Sequence, residues 1–223
     1  MDEKSSVNEK YQQLKNKLYE AIQDDIFPVS HVSEPDCSGS YSYADYFTLR
    51  FEDSVELIGG RVFRMSPAPS LTHQRWCGLI FAKLHCYLTE KEAEVFIAPF
   101  DVRLPHLSAG DAEIVTVVRP DICVVCDPEK LDERGCVGTP DIVVEVLSSG
   151  NNWRELIDKY KVYEDAGVKE YWIVNPKRKH LFVYVLNEKG KFQSAGVNMY
   201  TGGSLSTLFP DFNLNLEELL RKQ

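Results

Sequence analysis

Two acids sit where apolar strands should run. Glu145 interrupts the stretch Ile142-Val143-Val144 and Val146-Leu147, and Asp121 opens a second β-branched run, R-P-D-I-C-V-V-C at 119–126. A lone carboxylate in such surroundings is costly to bury, so it must be paired, protonated, exposed at an edge or bound to a metal. A hard cation such as Mg2+ (or Mn2+) takes oxygen ligands and keeps several waters. Asp121 and Glu145, with a backbone carbonyl and a substrate phosphate, would hold one. An ion so held lowers the pKa of a bound water and neutralises charge on phosphoryl oxygens. A nearby lysine would orient that water or stabilise the developing charge, and Lys159, one helix beyond the Glu145 strand, is the candidate. This is the pattern a divalent-metal hydrolase needs.

Each candidate has a plainer alternative. Lys159 could simply pair with Glu155 one turn earlier, worth about 0.2–0.5 kcal/mol, and Lys161 is a second lysine two positions round the helix. His73 is either a proton shuttle and phosphate donor or a structural histidine near a helix start. Glu56 is either a third acid of the site or the exposed start of a hairpin. Asp141 shares strand parity with Glu145, yet an acid after proline at a strand entrance is commonly a turn residue. Cys123 and Cys126 have C-x-x-C spacing, but on a strand residues three apart face opposite ways, which argues against a shared zinc.

The elements that must position these groups follow from periodicity. Residues 1–26 read as a polar helix with Tyr11, Leu14, Leu18, Ala21 and Ile22 at helical spacing, and 28–42 as a linker. The expectation is an extension over 1–40 and one domain over 41–223. Tyr43 to Leu49 suggests a short helix, and E-L-I-G-G-R-V-F a hairpin around Gly59-Gly60. Ser70 can cap a long helix with Trp76, Leu79, Ile80, Leu84, Tyr87 and Leu88 along one stripe.

Strands are expected over Val95 to Leu104, Ile114 to Val118, Asp121 to Cys126 and Ile142 to Leu147. Ser148, Ser149 and Asn152 offer caps for a helix whose stripe is Trp153, Leu156, Ile157, Tyr160 and Tyr163, and Gly167 suits its C-terminal end. Two more strands, Lys169 to Val174 and Leu181 to Leu186, flank a basic turn at Lys177-Arg178-Lys179. Helices interleaved with a mixed sheet make the fold α/β or α+β.

Composition sets the outer limits. The chain has 223 residues, 43% hydrophobic and 26% charged, an ordinary globular balance with room for one sizeable core. The opening MDEKSSVNEK lacks the apolar core of a signal peptide and no long apolar run could span a bilayer, so cytoplasmic residence without membrane partners is the expectation. Cysteines at 37, 77, 86, 123, 126 and 136 form no compact disulfide framework and read as reduced thiols. A net charge of −9 weighs mildly against nucleic-acid binding, although a metal nuclease gathers carboxylates in its site. No P-loop, dinucleotide glycine motif or nucleophilic Ser-His or Cys-His constellation is apparent.

The order of motifs resembles the Uma-type restriction endonucleases of the PD-(D/E)XK nuclease superfamily. The pieces are Y-S-Y-A-D-Y at 41–46, E-L-I-G-G-R-V at 56–62, S-P-A-P-S-L-T-H-Q at 66–74 and R-P-D-I-C-V-V at 119–125. They continue with P-D-I-V-V-E-V-L-S at 140–148, D-K-Y-K-V-Y-E-D-A-G-V-K-E-Y-W-I-V-N-P at 158–176 and the tail S-L-S-T-L-F-P. The resemblance implies a restriction-endonuclease-like core, a mixed sheet flanked by helices, with a metal site of Asp121 and Glu145 acting on DNA.

The superfamily lysine two residues after the second acid is replaced here by Leu147, and the resemblance moves that role to Lys159. It also implies secondary site roles for Glu56 and His73. Two readings stand: a Mg2+-dependent DNA endonuclease using a metal-activated water, or a nuclease-fold protein that no longer cleaves and serves as a binding or regulatory module. A homodimer is an expectation from the prevalence of two-fold assemblies and the two sites a double-strand cut needs.

Overall fold

The computed structural model describes residues 40–48, 55–65, 69–104, 110–148, 153–198 and 206–215. The reading of 1–26 as a helix, the caps at Ser149 and Asn152 and the side chain of Trp153 lie outside the described residues. The elements run α1 (Tyr43–Thr48), β1 (Val55–Ile58), β2 (Arg61–Arg64), α2 (Leu71–Leu88), β3 (Glu94–Ile97), β4 (Val102–Arg103), β5 (Val117–Val118) and β6 (Ile122–Val125). A short 3-10 turn at Pro128–Lys130 leads to β7 (Leu131–Asp132), β8 (Gly135–Val137), β9 (Ile142–Val146), α3 (Trp153–Ala166), β10 (Glu170–Asn175), β11 (His180–Leu186) and β12 (Phe192–Asn198).

The fold is mixed α/β, as expected, but the strands divide between two sheets instead of one. The first has the order β2-β1-β5-β4-β8-β7 and the second β12-β11-β10-β9-β6-β3. Each is antiparallel except for one parallel pair, β4 with β8 and β9 with β10. The α3 crossover makes the second parallel pairing feasible, because parallel neighbours need a long connection.

Alternation along β9 sorts the second sheet's two faces. Ile142, Val144 and Val146 join the core formed with Trp76, Ile80 and Leu84 of α2. Val143 turns to the other core, where Leu156, Ile157 and Tyr160 of α3 meet Val102 and Val118 of the first sheet. Burying each large apolar side chain stabilises by roughly 1.5–3 kcal/mol, so α2 and α3 are fixed mainly by their stripes.

Local signals set the element ends. The β1–β2 turn holds Gly59 and Gly60 at φ 57° and 77°, the positive values a two-residue hairpin requires. Ser70 caps α2 by accepting from the His73 N–H at 3.2 Å. Gly167, at φ 84°, ends α3 while Val168 N–H donates to Tyr163 O and Gly167 N–H to Glu164 O, the paired bonds of a Schellman motif.

Three expectations need correction. The strand expected over Val95 to Leu104 is broken after Ile97, where the Ala98–Pro99 bond is cis, and the chain passes from one sheet to the other. Ile114 is buried in a loop, leaving only Val117–Val118 of its run as strand. β7, β8 and β12 were not expected, because the first two are very short and β12, FQSAGVN, has little apolar alternation.

Candidate active site

Glu145 and Asp121 stand side by side on neighbouring strands. The β6–β9 register pairs Ile122 with Val144, and one step further sets Asp121 beside Glu145. Asp121 is pinned there: its Oδ2 accepts from the Val146 N–H at 2.7 Å and lies 3.2 Å from His73 Nε2. Strand parity turns Glu145 with Val143 toward α3.

Two α3 residues four apart, and so on one face of the helix, meet Glu145 there. Its Oε1 accepts from Lys159 Nζ at 3.1 Å and from the Tyr163 hydroxyl at 2.9 Å. Lys159 Nζ also lies 3.0 Å from Glu56 Oε1, which accepts in addition from the Arg119 N–H at 2.8 Å. Glu56 is therefore a buried member of β1 reaching the junction of both sheets with α3, and not an exposed hairpin start.

The remaining candidates separate clearly. Lys159 is buried between acids from two other elements, so a surface pair with Glu155 does not account for its placement. Lys161 is exposed. Asp141 works at the opposite end of β9, where it accepts from the Cys126 N–H and pairs with Lys169 Nζ, both at 2.7 Å. Cys123 and Cys126 pack into the two opposite cores. The Leu147 side chain packs on the α3 side while its N–H donates to Val174 O.

Burial and close charges set the protonation of this cluster. Glu56, Asp121 and Glu145 bring three carboxyl groups to the single ammonium of Lys159. Burial pushes the Glu145 carboxyl up to about 8; Lys159 pulls it down, while Asp121 and Glu56 add to the rise. Burial alone would lower the Lys159 pKa, but Glu145 and Glu56 outweigh it and hold it well above the ordinary value. Burial and Glu145 likewise keep the Tyr163 phenol protonated as a donor.

Among the described residues nothing donates to Asp121 Oδ1 or Glu145 Oε2. Two carboxylate oxygens without protein donors, in a cluster short of positive charge, suit a hard divalent ion. Access is from the Asp121 side, whose side chain is 18% exposed against 8% for Glu145.

Sequence reasoning missed three participants. Tyr163 looked like one more apolar stripe residue, although its i+4 spacing from Lys159 was a signal. Cys77, one turn after His73, has Sγ 3.5 Å from His73 Nδ1. The Arg119 main chain has no sequence signature at all.

Two mixed sheets flanked by helices, with acids on adjacent strands, define a mixed α/β fold. A crystal structure titled as that of "a putative nuclease belonging to DUF820 from Anabaena variabilis" matches with a TM-score of 0.64 at 17% identity, over 81% of this chain and 98% of that one. Residues 43–217 match the Uma2 family, described as "Putative restriction endonuclease". The chain belongs to that family. No curated relative matches the sequence, and among the described residues no helix is long and apolar enough to cross a membrane.

Proposed function

We propose that this protein is a metal-dependent DNA endonuclease that hydrolyses phosphodiester bonds with water. The observation that carries the reading is Lys159 Nζ at 3.0 Å from Glu56 and 3.1 Å from Glu145, which lies on the strand next to Asp121. It supplies an ammonium beside the second acid although Leu147 occupies the superfamily lysine position. That favours the cleaving enzyme over a binding module that has lost its lysine.

Asp121 and Glu145 would hold Mg2+ or Mn2+, which when bound would lower the pKa of a water and offset phosphoryl charge. Glu56 and Tyr163 orient the other participants: Glu56 holds Lys159, and Tyr163 fixes the Glu145 rotamer. Lys159 would stabilise charge developing on a phosphoryl oxygen, with little reorganisation because its two acids already hold it. His73, 11% exposed at its side chain, can hold a proton at Nε2 or donate to a phosphate oxygen near Asp121.

Cleavage of supercoiled plasmid and of single-stranded DNA with Mg2+ or Mn2+, beside EDTA and Asp121→Ala, tests the reading. Loss of cleavage in both controls is the expected result. Equal activity of wild type and variant would reject the site, and an inert wild type with every DNA form and metal would leave the binding module.

A further inference from the structure

We propose that His73, Cys77 and Asp121 form a second cation site, of softer donor character, that takes a borderline transition metal such as Zn2+ or Co2+. His73 and Cys77 are four residues apart on α2 and share a face. Cys77 Sγ is 3.9 Å from His73 Nε2, that nitrogen is 3.2 Å from Asp121 Oδ2, and all three donor atoms lie within 4.8 Å of one another. With zinc bonds near 2.3 Å to sulfur and 2.0–2.2 Å to nitrogen and oxygen, the edges of a tetrahedral site are roughly 3.3–3.6 Å. The nitrogen-to-carboxylate edge is already close to that length, but Cys77 Sγ lies nearer His73 Nδ1, at 3.5 Å, than Nε2, so the imidazole must turn toward the thiol and the thiol-to-carboxylate edge must shorten on loading.

The donor set decides the metal. Thiolate and imidazole favour zinc and cobalt, whereas magnesium takes oxygen. Three protein ligands with a fourth position open to water is the composition of reactive zinc sites. Here the opening is on the partly exposed Asp121 side. Supporting contacts are in place, since the Val146 N–H fixes Asp121 and the Ser70 cap fixes the first turn of α2. On ligation the Cys77 proton leaves to solvent and the sulfur binds as thiolate.

Asp121 serves both sites, so loading this one withdraws a ligand from the proposed magnesium pair and zinc opposes cleavage. That consequence depends on the endonuclease reading; the site itself does not.

The test is Co2+ titration of the full chain after EDTA removal, read by absorbance. The expected result is one equivalent bound, with a thiolate-to-cobalt charge-transfer band in the near ultraviolet and visible bands of a four-coordinate ion. Cys77→Ala, which keeps a small apolar side chain, should lose the charge-transfer band, and His73→Gln should weaken binding by about tenfold or more. Thermal unfolding checks that each variant folds. X-ray absorption of the zinc-loaded wild type needs no variant and should show one sulfur at about 2.3 Å. Absence of the band in wild type, its survival in Cys77→Ala, or an absorption shell of nitrogen and oxygen only would overturn the proposal.

Discussion

Lys159 is held by two acids that would otherwise face each other in a buried space. Lys159→Met should therefore destabilise the metal-free protein by roughly 3–5 kcal/mol, the cost of breaking a buried pair, whereas Lys161→Met at the exposed neighbour should stay within about 0.5 kcal/mol. Urea unfolding in EDTA measures both, and equal midpoints would remove Lys159 from the cluster. Tyr163→Phe deletes one donor to Glu145 while keeping the ring against Tyr171 at 5.1 Å. It should cost about 1–3 kcal/mol and weaken Mg2+ binding by calorimetry; unchanged affinity would make Tyr163 a packing residue only. Asp121 and Glu145 stood out in the sequence because charge inside apolar patterning is conspicuous, and Lys159 because it flanks the tyrosine stripe one helix later and matches the family pattern. Tyr163 did not, because a tyrosine fits an apolar stripe whether or not its hydroxyl has work to do.

At the level of elements, the β7–β8 hairpin depends on a single glycine. Gly135 has φ +123°, and a Cβ there would come within 2.2 Å of Asp101 O, the carbonyl that accepts from the Cys136 N–H. Neither atom is a flexible side-chain tip, so Gly135→Ala should cost at least about 2 kcal/mol through strain and lost pairing. Gly167→Ala, at φ +84° with open space around it, should cost only about 1 kcal/mol. Reversed magnitudes in denaturant titrations would contradict the close approach. The lesion at Gly135 is not confined to the hairpin, because Asp101 also takes Arg119 Nε at 2.5 Å, and the Arg119 N–H holds Glu56. Elements with strong periodicity or a cap, such as α2 behind Ser70, the Gly59-Gly60 hairpin, α3 and β9, could be read from the sequence. The split of 95–104 between two sheets could not, since strand propensity records how residues fit a pleated surface and not which sheet that surface belongs to.

For the whole molecule, two buried acids at opposite ends of β9 give stability a pH profile with two limbs. Burial alone would raise the Asp141 pKa, but Lys169 and the Cys126 N–H outweigh it and leave it lowered. Its contribution is complete above the ordinary carboxylate value of about 4 and is lost as pH falls through the lowered folded value. Asp141→Asn should flatten that acid limb. Glu145 has the opposite sign: its carboxyl rises from 4.5 to about 8 on folding, so across that window the native state holds a proton the unfolded chain has released. Stability of the metal-free protein therefore declines as pH rises through the window, and Glu145→Gln should remove the decline. Thermal midpoints measured in EDTA across both limbs test the pair, and a wild-type midpoint flat between those two values would mean that Glu145 stays ionised in the folded state. Saturating Mg2+ should suppress the upper limb and leave the acid limb intact, because a ligating carboxylate gives up its proton while Asp141 lies at the far end of the strand. The same strand thus carries a structural acid that strengthens the fold when charged and a site acid whose charge the fold tolerates poorly until a cation arrives.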